Sequence, residues 1–140
     1  MPQIKGKCLC GGVSYAAQIA KPKVEACHCS MCRSWASGAY LSVAHDGDVE
    51  FSGSGNIGVY RASQWGERAF CKVCGSSLYW RLQGTDHYAF SAGTIEDQSI
   101  LDFTRQIFVD EKPLYYDFAN ETARLTGKQV ADEFAAKMKS

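Results

Sequence analysis

The chain has 140 residues, enough for one domain with a sizeable core, and its 15 basic residues balance 15 acidic ones. A net charge of zero argues against nucleic acid or an anionic membrane as the main partner, because both favour a basic surface. No stretch approaches the ~20 apolar residues of a membrane span, and no apolar run follows Met1-Pro2-Gln3-Ile4-Lys5. A soluble cytoplasmic protein without a signal peptide is therefore expected.

In chain order, Lys7 to Ala17 reads as two short strands around a Cys10-Gly11-Gly12 turn, with Val13, Tyr15 and Ala17 alternating against Ser14 and Ala16. Val24-Glu25-Ala26 leads into Cys27-His28-Cys29-Ser30-Met31-Cys32-Arg33. Ser30 to Ala36 predicts a short helical turn with Ser30 as N-cap, which would aim backbone N–H groups at neighbouring thiolates. Ala39 to Ala44 reads as a strand, Asp46-Gly47-Asp48 as a hairpin turn, and Val49 to Ser52 as the strand that pairs back. After a turn at Gly53-Ser54-Gly55-Asn56, Val59 to Arg61 and Glu67 to Phe70 flank a loop carrying Gln64 and Trp65, and strands are expected at Ser77 to Leu82 and His87 to Ala92. Gln106 to Val109 is short and β-like, and Tyr115, Tyr116 and Phe118 form an aromatic cluster.

The last segment changes period. Thr126 and Gln129 make a capping box, and Val130, Phe134 and Met138 recur every four residues as one apolar stripe. This predicts a C-terminal helix that packs on the domain or on a second copy of the chain, which leaves a homo-oligomer open. Many short strands with glycine turns otherwise make a mainly β single domain over 1–140.

All seven cysteines lie in three clusters: Cys8-Leu9-Cys10, the central Cys27, Cys29 and Cys32, and Cys71-Lys72-Val73-Cys74. Clustered thiols in a reducing compartment bind metal or do chemistry more often than they form disulfides, and an odd number fits a disulfide framework poorly. In a strand, residues i and i+2 share a face roughly 6.6 Å apart, and a modest bend brings their sulfurs onto one zinc. C-x-x-C does the same across a tight turn. Gly11 and Gly75 directly follow the two outer pairs and supply the positive φ such turns need. The outer pairs therefore belong together, and Cys8, Cys10, Cys71 and Cys74 are expected to form a closed structural zinc site. Cys27, Cys29 and Cys32 are left with three thiolates and an open position, the form of zinc site that meets substrate. His28 faces away from such a site if its neighbours share a strand face; His45 and His87 read as surface or packing residues. Arg33 follows the open site and can hold a substrate carboxylate in its planar fork, with Arg61, Arg68 and Arg105 as further candidates. Trp35, Tyr40 and Trp65 are candidate pocket walls.

Three segments carry a family likeness: Gly6 to Val13, Cys27 to Arg33, and Phe70 to Leu78. With Ser91-Ala92-Gly93-Thr94-Ile95-Glu96-Asp97 and Ile107-Phe108-Val109-Asp110-Glu111-Lys112-Pro113, they resemble the glutathione-dependent formaldehyde-activating enzyme family, which includes the centromere protein V type. The resemblance covers about residues 5–118 and leaves 119–140 as an extension. It departs at Ser34 and Gln106, where relatives often carry a basic residue and a histidine. It implies a zinc-bound β-tent of short antiparallel strands, a four-cysteine structural site and a three-cysteine site tied to activity. The expected partners are a small thiol, glutathione-like, and a small aldehyde, joined or parted by carbon–sulfur lyase chemistry. The alternative is a zinc-stabilised binding or scaffold module without catalysis, since a fold alone does not decide function.

Overall fold

The computed structural model describes residues 3–139, with side chains described for 3–137. Eleven strands and two helices appear among them, in a mainly β arrangement. In chain order they are β1 (Gln3–Lys7), β2 (Ser14–Gln18), β3 (Lys23–Cys27), α1 (Ser30–Ala36), β4 (Tyr40–Asp46) and β5 (Glu50–Ser52). They continue as β6 (Ile57–Tyr60), β7 (Gly66–Cys71), β8 (Ser77–Leu82), β9 (His87–Ser91), β10 (Asp102–Ile107), β11 (Ala123–Leu125) and α2 (Gly127–Lys139). Among the described residues no helix is long and apolar enough to cross a membrane. The chain forms two compact units, one of residues up to Lys23 with Ser42–Asp102, the other of Val24–Leu41 with Phe103 onward.

The first unit holds two antiparallel arrays. One has the order β1-β2-β5, and the other runs β4-β9-β8-β7-β6. Strict alternation makes β1 and β2 half-buried: Ile4, Tyr15 and Ala17 turn inward while Gln3, Lys5 and Lys7 face water. The inner faces meet in a core of Val13, Tyr15, Ala17, Leu78, Tyr79, Tyr88 and Phe90, which also takes in Cys8 and Cys71. Tyr15 lies flat on Phe90, with centroids 4.4 Å apart and planes 8° from parallel.

One expected pairing is corrected. The Asp46-Gly47-Asp48 signal does not close a hairpin: β4 pairs with β9, and β5 pairs with β2. Gly47 N–H instead donates to Asp86 O at 3.0 Å, so the turn serves the β4–β9 ladder. A turn residue specifies a reversal but not the partner of the strands beside it.

In the second unit β10 lies beside β3, and β11 adds in parallel on the other side of β10. Arg105 on β10 ties Glu25 of β3 at 2.7 Å and Glu133 of α2 at 3.0 Å. The expected capping box is present at α2. Thr126 Oγ1 accepts from Gln129 N–H at 3.2 Å, and Gln129 Oε1 accepts from Thr126 N–H at 2.8 Å. Asp110 Oδ1 also accepts from Gly127 N–H at 2.8 Å. The apolar stripe of α2 is only partly covered: Val130 is half-buried and Phe134 exposed, and the Met138 side chain lies outside the described residues.

Candidate functional site

The first unit assembles Cys8, Cys10, Cys71 and Cys74, whose sulfurs all lie within 4.8 Å of one another. Corners of a tetrahedron with ~2.3 Å metal–sulfur bonds stand about 3.8 Å apart. Cys8 Sγ is 3.7 Å from Cys10 Sγ, and Cys10 Sγ is 3.8 Å from Cys71 Sγ. The donor set fits one soft or borderline metal ion. Gly11 and Gly75 take φ values of 76° and 80°, the left-handed turn expected of both.

Backbone and side chains clasp the two halves of this group. Asn56 Nδ2–H donates to Gly12 O at 3.1 Å, while Lys72 N–H donates to Asn56 O at 2.8 Å. Leu9 N–H donates to Ser76 Oγ at 3.0 Å, and Ser76 Oγ lies 3.2 Å from Cys74 Sγ. The Ser76 hydroxyl and amide bring the Cys74 thiol down to about 5. Cys10 goes the other way, to about 11. The Gly12 amide favours its thiolate, but crowding by Cys74 and the remaining sulfurs, with some desolvation, outweighs it. The group is therefore uneven, with the thiolate favoured at Cys74 and the proton retained at Cys10.

The second unit assembles Cys27, Cys29 and Cys32, also within 4.8 Å of one another. β3 ends on Cys27, and α1 begins just past Cys29. Ser30 is not the cap that the sequence suggests. Cys29 is the N-cap, its Sγ accepting from Cys32 N–H at 3.4 Å, while Ser30 N–H donates to Glu111 Oε1 at 3.1 Å. Cys29 keeps the extended backbone of a cap, so its sulfur and not the Ser30 hydroxyl is the one placed over the first turn. The Cys27 and Cys32 thiols lead the effects that hold Cys29 down to about 2. The same contacts, with burial, push Cys27 far above the usual thiol range. Without a cation the trio therefore concentrates negative charge on Cys29 and leaves a proton on Cys27.

His28 lies between these thiols in sequence but is turned into the protein and fully buried. Its Nδ1 is 2.7 Å from Tyr116 Oη, and its Nε2 is 2.8 Å from Gln106 Oε1. Gln106 Nε2–H donates onward to Thr122 Oγ1 at 3.0 Å. Both ring nitrogens are taken, so His28 orients its neighbours rather than offering a fourth ligand. Burial, above all, lowers its pKa. Burial also raises the Tyr116 phenol, with Tyr115 and Cys27 adding to the effect and Arg33 opposing it.

Arg33 bends back so that its Nε–H donates to His28 O at 3.0 Å. Arg105 is engaged by Glu25 and Glu133. In the first unit Arg61 lies 3.9 Å from Glu67, and Arg68 is buried. Trp35 and Tyr40 meet at 5.0 Å between ring centroids, and Trp65 is exposed. His45 stacks on Phe90, and His87 Nδ1 sits 2.7 Å from Asp46 Oδ1. Gln106, Tyr116, Thr122 and Glu111 were not among the sequence candidates. Gln106 carried one signal in the sequence, its place where relatives often carry a histidine, and the structure buries it at the end of β10.

Among curated proteins, an uncharacterized lyase of Schizosaccharomyces pombe is 36% identical over 131 residues, 93% of this chain and 96% of that protein. A Halomonas elongata protein, provisionally named a glutathione-dependent formaldehyde-activating enzyme, is 31% identical over 85 residues, 54% of each chain. A crystal structure of a Rhodobacter sphaeroides protein superposes with a TM-score of 0.56 at 21% identity, covering 71% of this chain and 99% of that one, a likeness of fold. Residues 3–111 match the glutathione-dependent formaldehyde-activating enzyme family, so β1 to β10 fall inside the match while β11 and α2 lie beyond it. That match runs from the first described strand through both thiol groups, and the chain belongs to the glutathione-dependent formaldehyde-activating enzyme family.

Proposed function

We propose that the protein is a zinc-dependent carbon–sulfur lyase, interconverting a glutathione-like thiol and a small aldehyde with their S-hydroxyalkyl adduct in the reducing cytoplasm. The observation that carries this reading is the trio Cys27, Cys29 and Cys32. Three sulfurs converge there with no fourth His, Cys, Asp or Glu ligand atom among the described residues, leaving a place for an exchangeable ligand. The names of the S. pombe and H. elongata relatives support the lyase and thiol–aldehyde classes.

Cys8, Cys10, Cys71 and Cys74 would hold a structural zinc, and Cys27, Cys29 and Cys32 a second one. Zinc bound at the trio supplies a lowered thiol pKa, and so a nucleophile at neutral pH. The chain's own residues bind and orient. Arg33, anchored through Nε, keeps its terminal N–H groups for a substrate carboxylate. The Tyr116 hydroxyl is fixed on His28, and His28 in turn on Gln106, so its direction does not wander. In the forward direction a bond forms between thiol sulfur and aldehyde carbon, and the carbonyl oxygen takes up the proton the thiol gives up. The reverse breaks that bond and returns the proton. The uncatalysed addition already proceeds, so modest acceleration suffices.

The test is exchange NMR on formaldehyde and glutathione at equilibrium with their adduct. Zinc-loaded protein is expected to speed the exchange between free and adducted glutathione. An exchange rate unchanged by the loaded protein would overturn the lyase reading and favour a zinc-stabilised binding module.

A further inference from the structure

The segment beyond residue 111 has no part in the family match, yet it is built into the surroundings of the three-sulfur group. β11 joins β10 in parallel with Gln106 opposite Arg124. Residues opposite one another in neighbouring strands project to the same face of a sheet, as do residues two apart in one strand. Gln106 points its amide to His28, and it is also bonded to Thr122, two residues before Arg124. Gln106 and Arg124 therefore share the face of the sheet from which Gln106 meets His28, and Thr122, just before β11 begins, is tied to that face through Gln106. Arg124 is exposed, and among the described residues its guanidinium has no ion-pair or hydrogen-bond partner. Lys112 is committed, its Nζ lying 2.9 Å from Asp117 Oδ1 and 2.7 Å from Tyr116 O. Arg33, bonded to His28 O through Nε, and Arg124, which shares a sheet face with Gln106, are thus left with guanidinium N–H groups to spare on the elements around one buried histidine.

We infer that Arg124 is a specificity-determining residue. β11 carries it to the three-sulfur site, where with Arg33 it selects a thiol bearing two separated carboxylates over a neutral thiol. One cation can hold one carboxylate; glutathione has two, and a paired fork for each distinguishes it from a smaller thiol. Thr122 is a positioning residue in this arrangement, since its hydroxyl secures Gln106 and through it His28. The inference rests on the reading that a thiol meets the three-sulfur site.

The test is calorimetric titration of glutathione and of 2-mercaptoethanol into zinc-loaded wild type, Arg124→Ala and Arg124→Lys. β11 is held through its backbone, so both variants are expected to melt with the wild type. Arg124→Ala is expected to weaken glutathione binding about tenfold, the effect of losing one charged hydrogen-bonding partner. It should leave 2-mercaptoethanol unchanged, and Arg124→Lys should recover part of the loss. Equal glutathione affinity in Arg124→Ala and wild type overturns the inference. So does an equal loss for both thiols, which would make β11 merely structural. If neither glutathione nor 2-mercaptoethanol binds the zinc-loaded wild type, the reading of the trio as a thiol site falls, and this inference falls with it.

Discussion

The two thiol groups are backed by different materials. Behind the four-sulfur group lies hydrocarbon: Cys8 and Cys71 are fully buried in the same core as Val13, Tyr15, Leu78 and Phe90. Behind the three-sulfur group lies a polar chain, Thr122 to Gln106 to His28 to Tyr116, with links of 3.0, 2.8 and 2.7 Å. An apolar backing gives an ion nothing to do except hold strands together. A hydrogen-bonded backing fixes donor and acceptor directions, which is what a site needs in order to orient a ligand. The contrast agrees with the proposed division, a structural role for the first group and a ligand-binding role for the second.

The largest way to break this comparison is Cys71→Ser. A structural zinc contributes on the order of 10 kcal/mol of apparent binding energy, comparable with the whole stability of a domain. The variant is expected to unfold or to melt far below wild type. A melting curve close to wild type would remove the four-sulfur group from its structural role.

A smaller and more selective effect is expected of Cys29→Ser. Its fold should persist, because the core of the first unit does not depend on that sulfur. Elemental analysis should find about one zinc equivalent fewer, since two remaining thiolates hold the ion poorly. Glutathione binding by calorimetry should vanish with it. Unfolding like that of Cys71→Ser, or glutathione binding like that of wild type, would erase the difference between the two groups.

The smallest effect is graded rather than absolute. Cys27 is pushed well above the ordinary thiol range by Cys29, Cys32 and burial, so the metal-free trio carries a proton that loading must expel. Zinc affinity at the trio should therefore rise with pH, by about tenfold per unit for each proton released. Competition against a chromophoric chelator between about pH 6 and pH 8 measures the slope. A flat profile would mean that the three thiolates are already free.

How much of this was legible in sequence depends on the range of each signal. Cysteine spacing is local, and with all seven thiols in three clusters the grouping into four and three followed from the glycines after Cys10 and Cys74. The capping box at Thr126 is equally local, and it appears as expected. Strand partnership is not local: Asp46-Gly47-Asp48 marks a reversal, but β4 finds β9 through their shared aromatic face, where His45 stacks on Phe90. β11 is three residues long and pairs in parallel, so neither periodicity nor a turn announces it. The polar chain behind the trio was illegible for a related reason. Gln106, Tyr116 and Thr122 have no characteristic spacing, and only the folded chain brings them to His28. Ser30 outranks Cys29 as a cap by residue preference, but the extended backbone falls on Cys29, whose sulfur accepts from Cys32 N–H, while the Ser30 amide is taken by Glu111.

The clasp formed by Asn56 and Ser76 bears on how metal enters and leaves the first unit. Cys10 and Cys71 are 61 residues apart, and closing a flexible loop of that length costs about 3–4 kcal/mol of chain entropy. Here the sheets, with Asn56 on the Gly12 and Lys72 sides and Ser76 on the Leu9 and Cys74 sides, close it. An incoming ion then meets four donors already at high effective concentration, as in a preformed chelate ring. Less of its binding energy would then be consumed in gathering the chain, and more would stand as added stability of the fold. Cys10 is exposed, so a bound ion would leave from that side, while the Gly12–Asn56–Lys72 clasp would keep the remaining donors in place for rebinding.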